Sequence, residues 1–278
     1  VTRRVLVLGG TGEARRLATA LVGAGAGAGA GEVLEVLYSL AGRVREPAVP
    51  PSCEVRVGGF GGPDGLAALL RARRITAIID ATHPFAARMS ASAATASAAT
   101  GVPLLVLRRP GWQEQPGDDW RRVPALPAAV ALLDALAPAS ASQPGADAGQ
   151  STATLRVFLT TGRTDLALFA SLHRPWFLSR SVEPPDGPVP PRLTVILDRG
   201  PFDVAAETEL LRRHAIDVLV TKDSGGTMTA AKLTATRHLG VPVIMIDRPP
   251  TPPGVGVVGS VGDAVAWLTT HATTPGKR

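Results

Sequence analysis

The stretch that most restricts what this chain can become is VLVLGGTGEA, residues 5–14. Val5, Leu6, Val7 and Leu8 read as a buried strand that runs into Gly9 and Gly10, and a helix begins near Gly12 or Glu13. A strand, a turn without side-chain bulk and a helix N-terminus make a cradle for an anion: backbone N–H groups point outward and the helix dipole favours negative charge. The spacing is not the full G-x-G-x-x-G, because Arg15 stands where the third glycine falls if Gly10 and Gly12 are the first pair. Alone, the turn fits a nucleotide site and equally a tight strand-to-helix connection in an α/β sheet.

A length of 278 residues leaves room for two domains of ordinary size. With 45% hydrophobic and 19% charged residues the chain is of the folded kind. Aromatics at 4% argue against a stacking platform for single-stranded nucleic acid. The net charge of +6 comes almost wholly from arginine, since only Lys222, Lys232 and Lys277 are lysines. These arginines are scattered, so the total charge reads as composition and no nucleic-acid partner is expected. Cys53 is the only cysteine, which leaves no internal disulfide and no thiolate metal cluster; no metal is expected, and a reducing cytoplasm suits the chain. No apolar run approaches the ~18 residues of a membrane helix. The tract at residues 15–31, RRLATALVGAGAGAGAG, faintly resembles a secretion signal, but a strand and Glu13 precede it and its glycines make a poor apolar region.

The first helix is expected over residues 13–22, followed by a Gly/Ala surface loop at 23–31 and a strand at 33–39 ending in SLAGR. In a dinucleotide fold the end of this second strand faces the adenine ribose, where an acidic residue suits a free 2′-hydroxyl and an arginine a 2′-phosphate. Ser39 and Arg43 stand there without an Asp or Glu, which favours NADPH over NADH. A short strand at 55–57, the turn GGFGGPDG and a helix at 63–72 come next. ITAIIDA, residues 75–81, is typical of a parallel strand buried on both faces. It ends in Thr82-His83-Pro84-Phe85, and polar groups at such a carboxyl end face the ligand crevice. Pro84 holds His83 extended. An Ala- and Ser-rich helix at 85–100 and a strand at 103–107 ending in RRPGW complete a nucleotide-binding α/β domain, bounded here as residues 1–124.

The segment at 113–154 holds WRRV at 120–123, a helix at 127–136 and a flexible insertion at 139–154. A second α/β domain, residues 125–278, takes in strands at 156–161, 176–181, 194–198, 218–221 and 241–246. Its helices are expected at 166–172, 203–214, 229–239 and 262–271, with Phe202 and Asp203 as a capping pair. Here too each buried strand ends in polar or glycine residues, which makes a second crevice. The fold class is therefore α/β: two Rossmann-like domains with mainly parallel sheets flanked by helices, and the active site in the cleft between them.

In order along the chain, GGTGEA, SLAGR, DATHPFA, TTGRTDL and TKDSGGTMTAAKL resemble the precorrin-6A reductases of cobalamin biosynthesis. The likeness covers essentially the whole chain and departs from the family in the GAGAGAGAG tract and at residues 143–154. It implies an enzyme that binds NADPH mainly through its N-terminal half and delivers hydride, with a proton, across one ring C=C bond, turning precorrin-6A into precorrin-6B. The pigment carries acetate and propionate carboxylates, so an arginine-rich cleft makes chemical sense. Family members take the metal-free or the cobalt-containing pigment, and both stay open here.

By the resemblance, Gly9, Gly10, Thr11, Gly12, Glu13 and Ala14 form the pyrophosphate turn. Ser39 and Arg43 hold the 2′-phosphate, while Thr82, His83 and Phe85 lie on the nicotinamide side. Thr161, Gly162 and Arg163, with Lys222, Asp223, Ser224, Gly225 and Gly226, form the substrate-facing wall. Lys222, Asp223 and His83 are the catalytic candidates: Lys222 stabilises charge or pairs with a carboxylate, and Asp223 orients it or relays a proton. A plain strand-end salt bridge explains Lys222 and Asp223 equally well. The partners implied are a small-molecule tetrapyrrole and, by hand-over, other enzymes of the pathway. Two other classes compete, a different NADPH-dependent reductase of a small anionic substrate and a non-enzymatic nucleotide-binding protein. The second α/β domain counts against the first of these, since it would have no task.

Overall fold

The computed structural model describes residues 2–27, 33–42, 49–50, 53–137 and 154–271. Arg43 and residues 139–153 of the expected insertion lie outside the described residues. The chain begins with β1 (Thr2–Leu8), α1 (Gly12–Gly27), β2 (Val33–Leu40), β3 (Glu54–Val57) and α2 (Gly62–Ala72). Then come β4 (Ala77–Asp80), α3 (Ala87–Thr100), β5 (Leu104–Leu107), β6 (Trp120–Val123) and α4 (Leu126–Leu136). Next are β7 (Arg156–Leu159), a 3-10 helix (Arg163–Phe169), β8 (Trp176–Ser181), β9 (Leu193–Leu197) and α5 (Val204–Arg213). The last elements are β10 (Val218–Lys222), α6 (Ala231–Leu239), β11 (Val243–Ile246), β12 (Gly256–Val258) and α7 (Val261–His271).

These strands form two 6-stranded sheets, ordered β12-β5-β4-β1-β2-β3 and β6-β11-β10-β7-β8-β9. Every ladder is parallel. Read from β3 and from β9, the first five strands of each sheet follow the 3-2-1-4-5 order of a dinucleotide-binding fold. The sixth strand breaks the sequential pattern: β12 joins the first sheet beside β5, and β6 joins the second beside β11. The chain accordingly divides into a first unit, Val1–Pro110 with Pro250–Arg278, and a second, Gly111–Pro249.

This division differs from the expected boundary at 124/125. WRRV pairs with β11, Val243 opposite Trp120 through Ile246 opposite Val123, and so belongs to the second unit. The last stretch returns to the first unit, where Ala264 and Leu268 of α7 pack with Leu17 and Leu21 of α1. β12 was not foreseen, because three residues among prolines and glycines carry no readable alternation.

Period-2 alternation builds both faces of the first sheet. Val5, Val7, Val36, Tyr38, Ile79 and Leu107 pack with α1 and α7, whereas Leu6, Leu8, Leu37, Ile78 and Leu104 pack with α2 and α3. Helix α1 continues to Gly27, five residues into the expected loop. In the second sheet, Phe158, Leu178 and Leu219 meet Leu211 of α5 and Leu233 of α6. Buried Phe169 of the 3-10 helix meets Phe177 of β8 with ring centroids 6.1 Å apart. The expected helix over 166–172 is this 3-10 turn, placed earlier. Asp203 caps α5 by accepting the Ala206 N–H at 2.8 Å.

Candidate active site

In the first unit the order reverses between β1 and β4, and the two motifs that follow these strands are joined there. The Thr11 hydroxyl donates to the Ala81 carbonyl at 2.8 Å and accepts the Ala14 N–H at 3.1 Å. Thr11 thus caps α1 and fastens the glycine turn to the end of β4. The Gly9 N–H donates to the Ser39 carbonyl at 2.8 Å. A Cβ on Gly9 would overlap the buried Tyr38 ring, so only glycine lets the turn close over β2. Burial pushes the Tyr38 phenol above its usual range, and its oxygen accepts the Gly10 N–H at 3.4 Å.

Glu13 lies in the first turn of α1, 2.6 Å from Arg109 and 2.9 Å from Arg16. Burial pushes its carboxyl up, but its own backbone N–H, Arg109 and Arg16 outweigh that and hold it below the usual carboxylate range. Its charge is therefore compensated at the N-terminus of α1. Bulk is excluded at Gly9, and the first N–H groups of a helix have no intrahelical partner, an arrangement that suits an anion such as a dinucleotide's pyrophosphate. Ser39 is buried and contributes its carbonyl to the turn.

At the end of β4, Asp80 is 1% exposed and organises the next loop. One carboxylate oxygen accepts the Thr82 N–H at 3.0 Å and the Thr82 hydroxyl at 2.6 Å; the other accepts the Ser90 hydroxyl at 2.5 Å. The Phe85 N–H donates to His83 Nδ1 at 3.3 Å. Asp80, Thr82, His83, Pro84, Ser90 and Arg108 help line an open concavity of about 310 Å³. Thr82 and His83 are thus brought together beside a cavity.

In the second unit the corresponding reversal lies between β7 and β10. Lys222 forms an ion pair with Asp165 of the 3-10 helix, joining TTGRTD to TKDSGG. Gly162, Gly225 and Gly226 have φ of 98°, 65° and 77°, a region that side chains disfavour. Buried Thr161 sits just before this turn. Arg163 turns to Asp186 at 2.9 Å and Glu183 at 3.6 Å. Asp223 accepts the Trp112 N–H at 3.0 Å, with Arg122 and Arg248 at 3.5 and 3.6 Å. The Ser224 N–H folds back on the Lys222 carbonyl at 2.7 Å. Asp223 is therefore a buried junction of the loop.

Sequence reasoning missed Asp80, Arg109 and Trp112, all three inside motifs it had marked. Their partners are 2 to 114 residues away, so composition and spacing carried no signal for most of these bonds. Among the described residues, no helix is long and apolar enough to cross a membrane.

Two sheets in Rossmann order, the first with a glycine turn at its point of reversal, define a doubly wound α/β protein. The chain belongs to the precorrin-6x reductase CbiJ/CobK family, whose model matches residues 4–269, and is accordingly an oxidoreductase. It is 49% identical to a precorrin-6A reductase of Rhodococcus erythropolis over 96% of this chain and 98% of that one. A solved structure, CobK precorrin-6A reductase, superposes with a TM-score of 0.82 at 42% identity, covering 98% of both chains. A cobalt-precorrin-6A reductase of Priestia megaterium is 27% identical over 88% of this chain and 90% of that one.

Proposed function

We propose that this chain uses NADPH to reduce one ring C=C bond of precorrin-6A, giving precorrin-6B. The observation that carries the reading is that relatives called precorrin-6A reductase match nearly the whole chain at high identity. The lower identity to the relative named for the cobalt-containing pigment favours the metal-free one. NADPH supplies the hydride when bound. The first unit holds it: the turn from Gly9 to Ala14 takes the pyrophosphate, Arg43 the 2′-phosphate, and Thr82, His83 and Phe85 border the nicotinamide. In the second unit, Thr161, Gly162, Arg163, Ser224, Gly225 and Gly226 form the wall for the tetrapyrrole. Orientation of the two carbons carries much of the rate. Lys222 supplies positive charge beside the pigment, Asp165 aims it, and Asp223 fixes the loop that presents it. A reducing cytoplasm is the compartment this reading assigns.

The test is anaerobic incubation of the chain with NADPH and precorrin-6A, following NADPH absorbance and the pigment spectrum together. Both are expected to change in step; NADPH left unoxidised beside authentic pigment refutes the proposal. In the same assay Lys222→Ala is expected to lower kcat at least about tenfold with the KM for NADPH within about twofold. An unchanged kcat removes Lys222 from the site. Arg43→Ala is expected to raise the KM for NADPH about tenfold and leave that for NADH unaltered. An equal loss for both cofactors disproves the 2′-phosphate assignment.

A further inference from the structure

On the face of the second sheet covered by α5 and α6, three charged side chains are buried together. Arg180 of β8 and Glu207 of α5 form a two-pronged pair with side chains 5% and 2% exposed. Both Glu207 oxygens bind this one guanidinium, the second at 3.0 Å. Lys232, in the first turn of α6, is 4% exposed, and its ammonium lies 5.2 Å from the centroid of the Trp112 ring. Trp112 holds the strand-end loop at two points: its backbone N–H donates to Asp223 Oδ1 at 3.0 Å and its indole N–H to the Gly226 carbonyl at 2.8 Å.

We propose that Lys232 is a positioning residue, whose ammonium seats the Trp112 indole and through it the loop from Lys222 to Gly226. This rests on the reading of that loop as the tetrapyrrole-facing wall. A buried ammonium is costly unless something offsets the loss of water. Glu207 is bound to Arg180, the negative face of the indole lies beside Lys232, and a cation over an aromatic face is held more strongly when desolvated. Burial first, and repulsion from Arg180 second, push the amine down to about 7 against the opposing pull of Glu207. The groups that face it are Arg180 from β8, Glu207 from α5 and the uncharged Trp112. The hold on Trp112 is therefore present on the acid side of neutrality and lost above about 7.

Stability runs the other way. The folded-state value lies below the ordinary 10.5, so between about 7 and 10.5 the unfolded chain binds a proton that the folded one does not. The contribution of Lys232 to stability rises with pH across that window and is at its lowest below it.

The experiment begins with the full chain and no substrate. Tryptophan emission, titrated from about pH 5.5 to about pH 8.5, is expected to include a step that Lys232→Met and Trp112→Phe both remove. The comparison of variants is needed because Trp176 and Trp267 stack on His214 and His271. In turnover, Lys232→Met is expected to lower kcat/KM for the tetrapyrrole about tenfold through KM, with the KM for NADPH unmoved and partial recovery in Lys232→Arg. An emission titration of Lys232→Met identical to that of the unsubstituted protein overturns the proposal without any reference to substrate. An unchanged tetrapyrrole KM in Lys232→Met overturns it as well. If that variant does not fold, Trp112→Phe decides both arms in the same way. Failure of the unsubstituted protein to turn over counts against the functional reading, and the emission arm still decides the placement of Trp112 by Lys232.

Discussion

Glu207→Ala is expected to lower the stability of the second unit by about 3–5 kcal/mol, the cost of leaving a buried charge without its partner. Arg180 is enclosed with its guanidinium over the Phe202 ring at 3.6 Å and the Phe158 ring at 5.2 Å. Removing the carboxylate strands this cation in low dielectric beside Lys232 and leaves a cavity. The double variant Arg180→Met with Glu207→Leu is expected to be much less damaging, since replacing a buried pair by apolar groups of similar volume is often near neutral. Urea denaturation followed by circular dichroism reads both. A single variant as stable as the unsubstituted protein would mean that water reaches the pair.

For Asp80→Ala the expected loss is about 2–4 kcal/mol, together with at least a tenfold fall in turnover. Three donors lose their acceptor at once: the Thr82 N–H, the Thr82 hydroxyl and the Ser90 hydroxyl. Bonds to a carboxylate are worth more than neutral ones, and part of the loss is returned because these groups border an open concavity that water can enter. The turnover effect follows from geometry, since Thr82 leads into His83 and misplacing reacting partners by about 1 Å costs rate steeply. Asp80→Asn, which keeps the shape and the acceptor toward Thr82, is expected to recover most of the stability. Thermal unfolding and the anaerobic assay measure the two effects separately, and normal turnover in Asp80→Ala would show that the Thr82–His83 turn does not need its carboxylate.

Strands were the most legible part of this fold. Apolar runs such as VLVL and AIID lie in parallel sheets buried on both faces, so they carry no polar interruption and end abruptly in glycine or polar residues. The glycine turn and the two strand-end loops were legible for the same reason, since the carboxyl ends of parallel strands are where such residues gather. Helix ends were less so. The Gly/Ala tract after residue 22 reads as loop, whereas the helix runs on to Gly27.

What the sequence determined by itself was local: which residues make strands, that these are parallel and doubly covered, and that glycines and polar groups stand at their carboxyl ends. The backbone allows few alternatives to such patterns. Tertiary structure decided everything that depended on partners far along the chain. It placed WRRV and GVV each in the other sheet from the strand that precedes it, because an edge strand is chosen by the unpaired N–H and C=O groups it satisfies, and sequence distance hardly enters. It also placed Asp223 at a junction with Trp112, Arg122 and Arg248, and left Lys232 buried against an indole. A charge in water tolerates nearly any neighbour, but a buried one depends on the atoms the fold brings within a few ångströms, and residue order alone does not contain that geometry.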